Sequence, residues 1–252
     1  GIAEKSIKIF LDVFDKNGDV GRFTVEPGGS VLDDNAYIIL ALIGLFETTS
    51  KPLYFIYAKK IAEYVIKNFY DGEKGGFFDI KHTTKSSKIG FLNHKEKNIA
   101  DYGGYSQNGT ILSAMSKLYM LTGEVQFKNV ILKSFEYFIN EANMLKHNAS
   151  GYLISLINYA FGTEINIIAG RYGDKAVADF FNMSGKSGFN AFNIFIDMNN
   201  KDLTDNYSGF EGFEKGDALI LEEIRNAATE FGRVKKPLVF QCGNKSCSVK
   251  IL

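Results

Sequence analysis

Hydrophobic positions recur at helical spacing in two adjacent windows, Leu32 to Thr48 and Pro52 to Phe69. In the first, Ile38, Ile39, Leu42, Ile43, Leu45 and Phe46 cover most of the helical circumference, which predicts a helix walled in by others. In the second, Ile56, Ile61, Val65, Ile66 and Phe69 alternate with Lys59, Lys60, Glu63 and Lys67, which predicts a helix with one face in water. Pro52 suits a first helical turn, where no amide hydrogen bond is lost. The two windows form one helical hairpin, with a buried inner helix and a half-exposed outer one.

The hairpin repeats. A second pair of windows runs from Ser106 to Thr122 and from Val125 to Ala142. A shift of 73 positions superposes Asn35 on Asn108, Ala41 on Ala114, Leu45 on Leu118, Thr49 on Thr122, Tyr64 on Tyr137 and Ile66 on Ile139. Ala3 to Phe14 aligns with Ala58 to Phe69 and reads as an outer helix without its inner partner, so the sequence implies a lost upstream part. Such hairpins predict a partial α/α toroid, with inner helices around a cavity and an exposed inner surface that a homodimer or the C-terminal part of the chain would cover. Short strands are expected at Gly21 to Val25 and Phe77 to Ile80, and a polar exposed loop from His82 to Ala100. The long connections all precede inner helices, which puts any site on the face where those helices begin.

Beyond Ser150 the period changes. A helix at Tyr152 to Phe161 is followed by a strand at Ile165 to Ala169, a helix at Asp174 to Phe181 and a strand at Phe192 to Met198. A helix at Leu219 to Phe231 and a strand at Pro237 to Cys242 complete a small α/β annex. The expected division is residues 1–161, mainly α, and 162–252, the annex.

Composition narrows the function classes. Twenty-nine Lys and Arg balance 29 Asp and Glu, so no net field recruits nucleic acid or an anionic membrane. The longest apolar run, Ala36 to Phe46, is about half of the ~20 residues a membrane span needs, so the reading is soluble and cytoplasmic. His82, His94 and His147 lack metal-ligand spacing, and no metal or other cofactor is expected. Cys242 and Cys247 could close a small disulfide or remain reduced structural thiols, the latter being the default; no third Cys completes a zinc site.

The candidate chemistry is carboxylate chemistry. Asp33 and Asp34 open an inner helix, where a cap alone is the plainer reading and the alternative is that one serves as N-cap while the other projects into the cavity mouth. Asp101 precedes the second inner helix, with Tyr102, Ser106 and Asn108 behind it, and would converge on the same opening as the pair at 33 and 34. The plainer reading is that Ser106 caps the helix and Asp101 supports a turn. Asp79, in Gly75-Gly-Phe-Phe-Asp79, lies on the same face. Gly170-Arg-Tyr-Gly173-Asp174 has the placement of a phosphate loop but lacks its glycine fingerprint, as does Gly185-Lys-Ser187, and a tight turn is preferred for the former.

The order of Leu32-Asp-Asp, Gly75-Gly-Phe-Phe, Asp101 with Ser106 and Asn108, Leu121-Thr-Gly123, Ile168-Ala-Gly170 and the closing Cys-x-Asn-x-x-Cys resembles the spermatogenesis-associated, thioredoxin-domain-containing proteins and their bacterial YyaL-like relatives. Asn35 and Tyr105 depart from the Tyr and Pro usual beside these motifs. The resemblance spans nearly the whole sequence and implies a six-hairpin glycosidase-like toroid, similar to the N-acylglucosamine 2-epimerase fold, with a thioredoxin-like domain upstream. It implies carbohydrate binding or processing, as a hydrolase or an epimerase. Asp33, Asp34 and Asp101 would then be the catalytic candidates, with Asp34 and Asp101 as acid and base, and Asp79, Tyr102, Ser106 and Asn108 would hold the sugar. The alternative is a non-catalytic interaction scaffold for the thioredoxin-like domain.

Overall fold

A computed structural model describes residues 1–20, 30–81, 95–161, 164–184, 191–199, 218–243 and 246–252. The expected strand at 21–25, His82, His94 and the Gly185-Lys-Ser187 loop lie outside the described residues. The elements are α1 (Ile2–Asn17), α2 (Leu32–Thr49), α3 (Pro52–Phe69), α4 (Gln107–Thr122), α5 (Val125–Leu145), a 3-10 turn (Lys146–Ala149) and α6 (Ser150–Phe161). They continue with β1 (Glu164–Gly170), α7 (Lys175–Ser184), β2 (Ala191–Asp197), α8 (Ala218–Val234), β3 (Leu238–Gly243) and β4 (Ser246–Ile251). The protein is mainly helical, with a four-stranded sheet near its C-terminal end.

Contacts divide the chain into two compact units: Gly1–Leu42, Ile56–Tyr119 and Glu124–Ile157 in one, Ile43–Phe55, Met120–Gly123 and Asn158–Leu252 in the other. The tips of both helical hairpins therefore group with the sheet rather than with their own stems.

In the first unit the two helices of the second hairpin differ as their patterns require. On α4, residues Asn108, Thr110, Ile111, Leu112, Ala114, Met115 and Leu118 are buried around the circumference. On α5 a single stripe is buried, from Phe127 through Ile131, Phe135 and Phe138 to Ala142. Lys59 breaks the expected pattern of α3: it is buried, 2.7 Å from the Glu124 carboxylate and 3.9 Å from that of Glu63. A cation at that depth needs such partners to offset its lost hydration. Tyr152 of α6 is fully buried, donates to the Phe135 carbonyl at 2.8 Å, and has its phenol pushed up to about 12 by burial.

The strand expected at Phe77 to Ile80 is reduced to two isolated bridges, Tyr70 with Phe77 and Val31 with Ile80. Gly75 and Gly76, at φ 89° and 77°, turn the chain hard against α5. A Cβ on Gly75 would lie 2.5 Å from the Lys133 carbonyl oxygen, and one on Gly76 would lie 2.8 Å from the Phe138 ring. Asn108 then occupies the backbone edge of Phe77, leaving no ladder to extend.

In the second unit the strand order is β2-β1-β3-β4. β1 and β2 are parallel and joined through α7, as the βαβ pattern predicts, while β3 and β4 add antiparallel strands. Ile168, Val177, Phe180 and Val239 form a core between the sheet and α7. α8 buries Ile220, Leu221, Ile224, Ala227 and Phe231 and packs on β1 and β3. The thiols expected to be reduced are instead joined: Cys242 and Cys247 stand opposite each other across β3 and β4 and form a disulfide. The hairpin register makes this pairing, which the residue spacing alone left undecided.

Candidate functional site

Residues 95–106 form the loop leading into α4, and Asp101 anchors its end. The Asp101 amide donates to the Asn148 carbonyl at 2.7 Å. Its carboxylate accepts the Ser106 amide at 2.7 Å on Oδ1 and the Gly151 amide at 3.0 Å on Oδ2. Ser106 is the N-cap of α4, its hydroxyl accepting the Gly109 amide at 3.1 Å. Gly109 lets α4 approach α6 closely, since a Cβ there would come within 2.7 Å of the Gly151 backbone. One carboxylate thus ties together the beginnings of two helices.

Beside it opens a cavity of about 450 Å³, lined by Tyr37, Asp101, Gly104, Tyr105, His147, Asn148 and Ser150. Tyr37 and Tyr105 are 48% and 57% exposed, so two amphipathic rings meet solvent at its rim. An ionised carboxylate has about four acceptor sites, so Asp101 keeps capacity for hydroxyl donors after accepting two amides. Imidazole, amide and hydroxyl groups from His147, Asn148 and Ser150 add donors and acceptors, and Ser150 also donates its own hydroxyl to the His147 carbonyl. Apolar ring faces combined with a few convergent polar groups suit a small polyhydroxylated ligand.

Of the residues expected to be catalytic, Asp101 alone lines this cavity. α2 begins at Leu32, so Asp33 and Asp34 lie within its first turn rather than ahead of it, and neither is the expected N-cap. The carbonyl of Asp79 accepts the Leu32 amide at 2.9 Å instead. Asp33 is one helical turn before Tyr37, on the same face. The side chain of Asp79 works within its own loop, its Oδ1 accepting the amides of Ile80 and Glu96, both at 3.0 Å.

Asn108, expected to hold a sugar, is fully buried and used as a clamp. Its Oδ1 accepts the Phe77 amide at 2.8 Å, and its Nδ2 donates to the carbonyls of Phe77 at 3.0 Å and Asn98 at 3.2 Å. Ser106 is also buried by its capping role. Tyr102 is 82% exposed and lines a separate cavity of about 410 Å³, with Phe78, Lys95, Glu96, Lys97, Asn98 and Tyr137.

In that second cavity Lys97 lies 3.8 Å from the centroid of the Tyr137 ring and donates to Asp71 Oδ2 at 2.8 Å and to the Gly75 carbonyl at 2.9 Å. Burial pushes the Asp71 carboxyl up, but hydrogen bonds from Lys97 and from the Lys74 and Glu73 amides outweigh it and hold the group below the usual carboxylate range.

Sequence reasoning missed Tyr37, Tyr105, His147 and Asn148 as lining residues. Tyr37 carried a signal, being four positions after Asp33 on a helix, whereas His147 and Asn148 reach the cavity only because the chain returns there after α5. Among the described residues no helix is long and apolar enough to cross a membrane. No family model matches the chain, and no curated protein matches it.

Proposed function

We propose that this chain is a carbohydrate-binding domain of the six-hairpin glycosidase-like class, a partial α/α toroid related to the thioredoxin-domain-containing proteins that its motifs resemble. The observation that carries the reading is the Asp101 cavity, where an anchored carboxylate faces two solvent-exposed tyrosine rings. Ring faces stack on the C–H faces of a sugar while carboxylate, amide and imidazole groups take its hydroxyls. In a catalytic version, a hydrolase or an epimerase, Asp101 would work with a second acid from the first turn of α2, Asp33 or Asp34.

Saturation-transfer NMR with a panel of mono- and disaccharides tests this. The expected result is transfer to at least one sugar, lost in both Tyr37→Ala and Tyr105→Ala. No transfer to any sugar, or transfer unchanged in both variants, overturns it.

A second reading, a non-catalytic scaffold for a thioredoxin-like domain, is favoured by one specific observation. Asp79 and Asp101 both take pairs of backbone amides, as structural carboxylates do. It predicts measurable affinity for that domain and none for sugars.

A further inference from the structure

Cys242 and Cys247 are directly opposed in the antiparallel register of β3 and β4. Val239 packs beneath α7 with Ile168, Val177 and Phe180, so Cys242, three positions further along β3, projects from the other face of the sheet. Glu223 of α8 reaches that face. One of its carboxylate oxygens and both sulfurs all lie within 4.8 Å of one another, and all three residues are partly buried. Bonded sulfurs offer a carboxylate neither charge nor a donor, and the hydrogen bond Glu223 does receive, from Asn226 Nδ2, is long at 3.5 Å. Among the described residues this long bond is what the carboxylate receives beside the sulfurs.

We propose that the reduced pair and Glu223 form a binding site for a divalent metal ion of zinc type, and that disulfide and metal are alternative states of this hairpin. Two thiolates, one carboxylate oxygen and a water complete a tetrahedral set, the donor types zinc prefers. Zn–S bonds of about 2.3 Å at a tetrahedral angle place the sulfurs about 3.8 Å apart, so the S–S bond must break first. A dithiol reductant does this by thiol–disulfide exchange, attacking one sulfur to give a mixed disulfide and leaving as its own cyclic disulfide, with two protons and two electrons delivered to the cysteines. The metal ion then displaces the two thiol protons as both thiolates bind. In the reverse direction a disulfide oxidant takes two electrons by thiol–disulfide exchange, the S–S bond re-forms, and the ion is released.

The test uses the whole chain, reduced with a phosphine, and titrates it with Co²⁺ as a spectroscopic probe, followed by Zn²⁺ in competition. The expected result is thiolate-to-cobalt charge-transfer absorption saturating at one ion per chain, displaced by Zn²⁺ and absent from the diamide-oxidised chain. Cys247→Ser removes the band. Glu223→Gln weakens binding by at least the roughly tenfold that even an outer-sphere partner contributes. The oxidised wild-type chain serves as the non-binding control should Cys247→Ser not fold. No charge-transfer band in the reduced wild-type chain overturns the site, and affinity unchanged by Glu223→Gln overturns the role of α8.

Discussion

Gly151, at the start of α6, donates its amide to Asp101 Oδ2 at 3.0 Å, joining positions fifty residues apart. The same carboxylate accepts the Ser106 amide, so it sets the spacing of the first turns of α4 and α6 as well as forming a wall of the cavity. Asp101→Asn presents an amide donor to one of two backbone donors. It is expected to lower stability by about 1.5–3 kcal/mol in chemical denaturation, the value of a hydrogen bond to a charged group. An unchanged denaturation midpoint would overturn this structural role.

Gly75 offers a sharper test of the packing between its loop and α5. Gly75→Ala combines a φ of 89° with a Cβ 2.5 Å from the Lys133 carbonyl oxygen, and neither atom belongs to a flexible side-chain end. The expected loss is about 2 kcal/mol or more, read from denaturant unfolding. Gly18→Ala shares a positive φ, 70°, but meets nothing within 4 Å, and is expected to cost about 1 kcal/mol, the conformational part alone.

The Asp71–Lys97 pair fixes the sign of an acid effect. The folded pKa of Asp71 is depressed, so the unfolded chain takes up the proton first as pH falls. The stabilisation is fully present above the ordinary Asp value of about 3.9 and is lost as pH drops through the lower folded value. Lys97→Met removes the strongest partner and is expected to flatten the dependence of unfolding free energy on pH below about 4. An identical pH slope in wild type and variant would sink the assignment.

Reduction of Cys242–Cys247 opens a loop with a sequence separation of only 5. Chain entropy for so short a loop gives a loss of about 2 kcal/mol, which thermal melts with and without a phosphine would read. Added Zn²⁺ is expected to restore part of that loss in the reduced chain only, because ligand that binds the native state stabilises it.

Much of the fold is legible in periodicity. The apolar stripe of α5 and the all-round burial of α4 follow from residues that repeat within a few positions, which is the range over which a helix determines its own faces. β4 was legible too and was passed over: Ser246 to Ile251 alternates polar and apolar residues at the strand period, and pairing with β3 completes it. Lys59 misled for the complementary reason: a lysine at an outward-reading position is buried once Glu124, from the next hairpin, arrives beside it.

The candidate site divides along the same line. Asp101 was visible because it stands just before a helix and Ser106 follows as its cap, both local relationships. That Asn108 is a clamp for Phe77, that Tyr37, Tyr105 and His147 share a cavity, and that Glu223 faces two sulfurs are facts of chain return. The sequence by itself determined the helices and the apolar stripe that most of them bury, because hydrophobic burial acts through the repeat of the backbone. Only the tertiary structure decided which polar groups are used by backbone amides and which face open space. A carboxylate or amide carries the same hydrogen-bonding capacity in either role, and its partners come from residues distant along the chain.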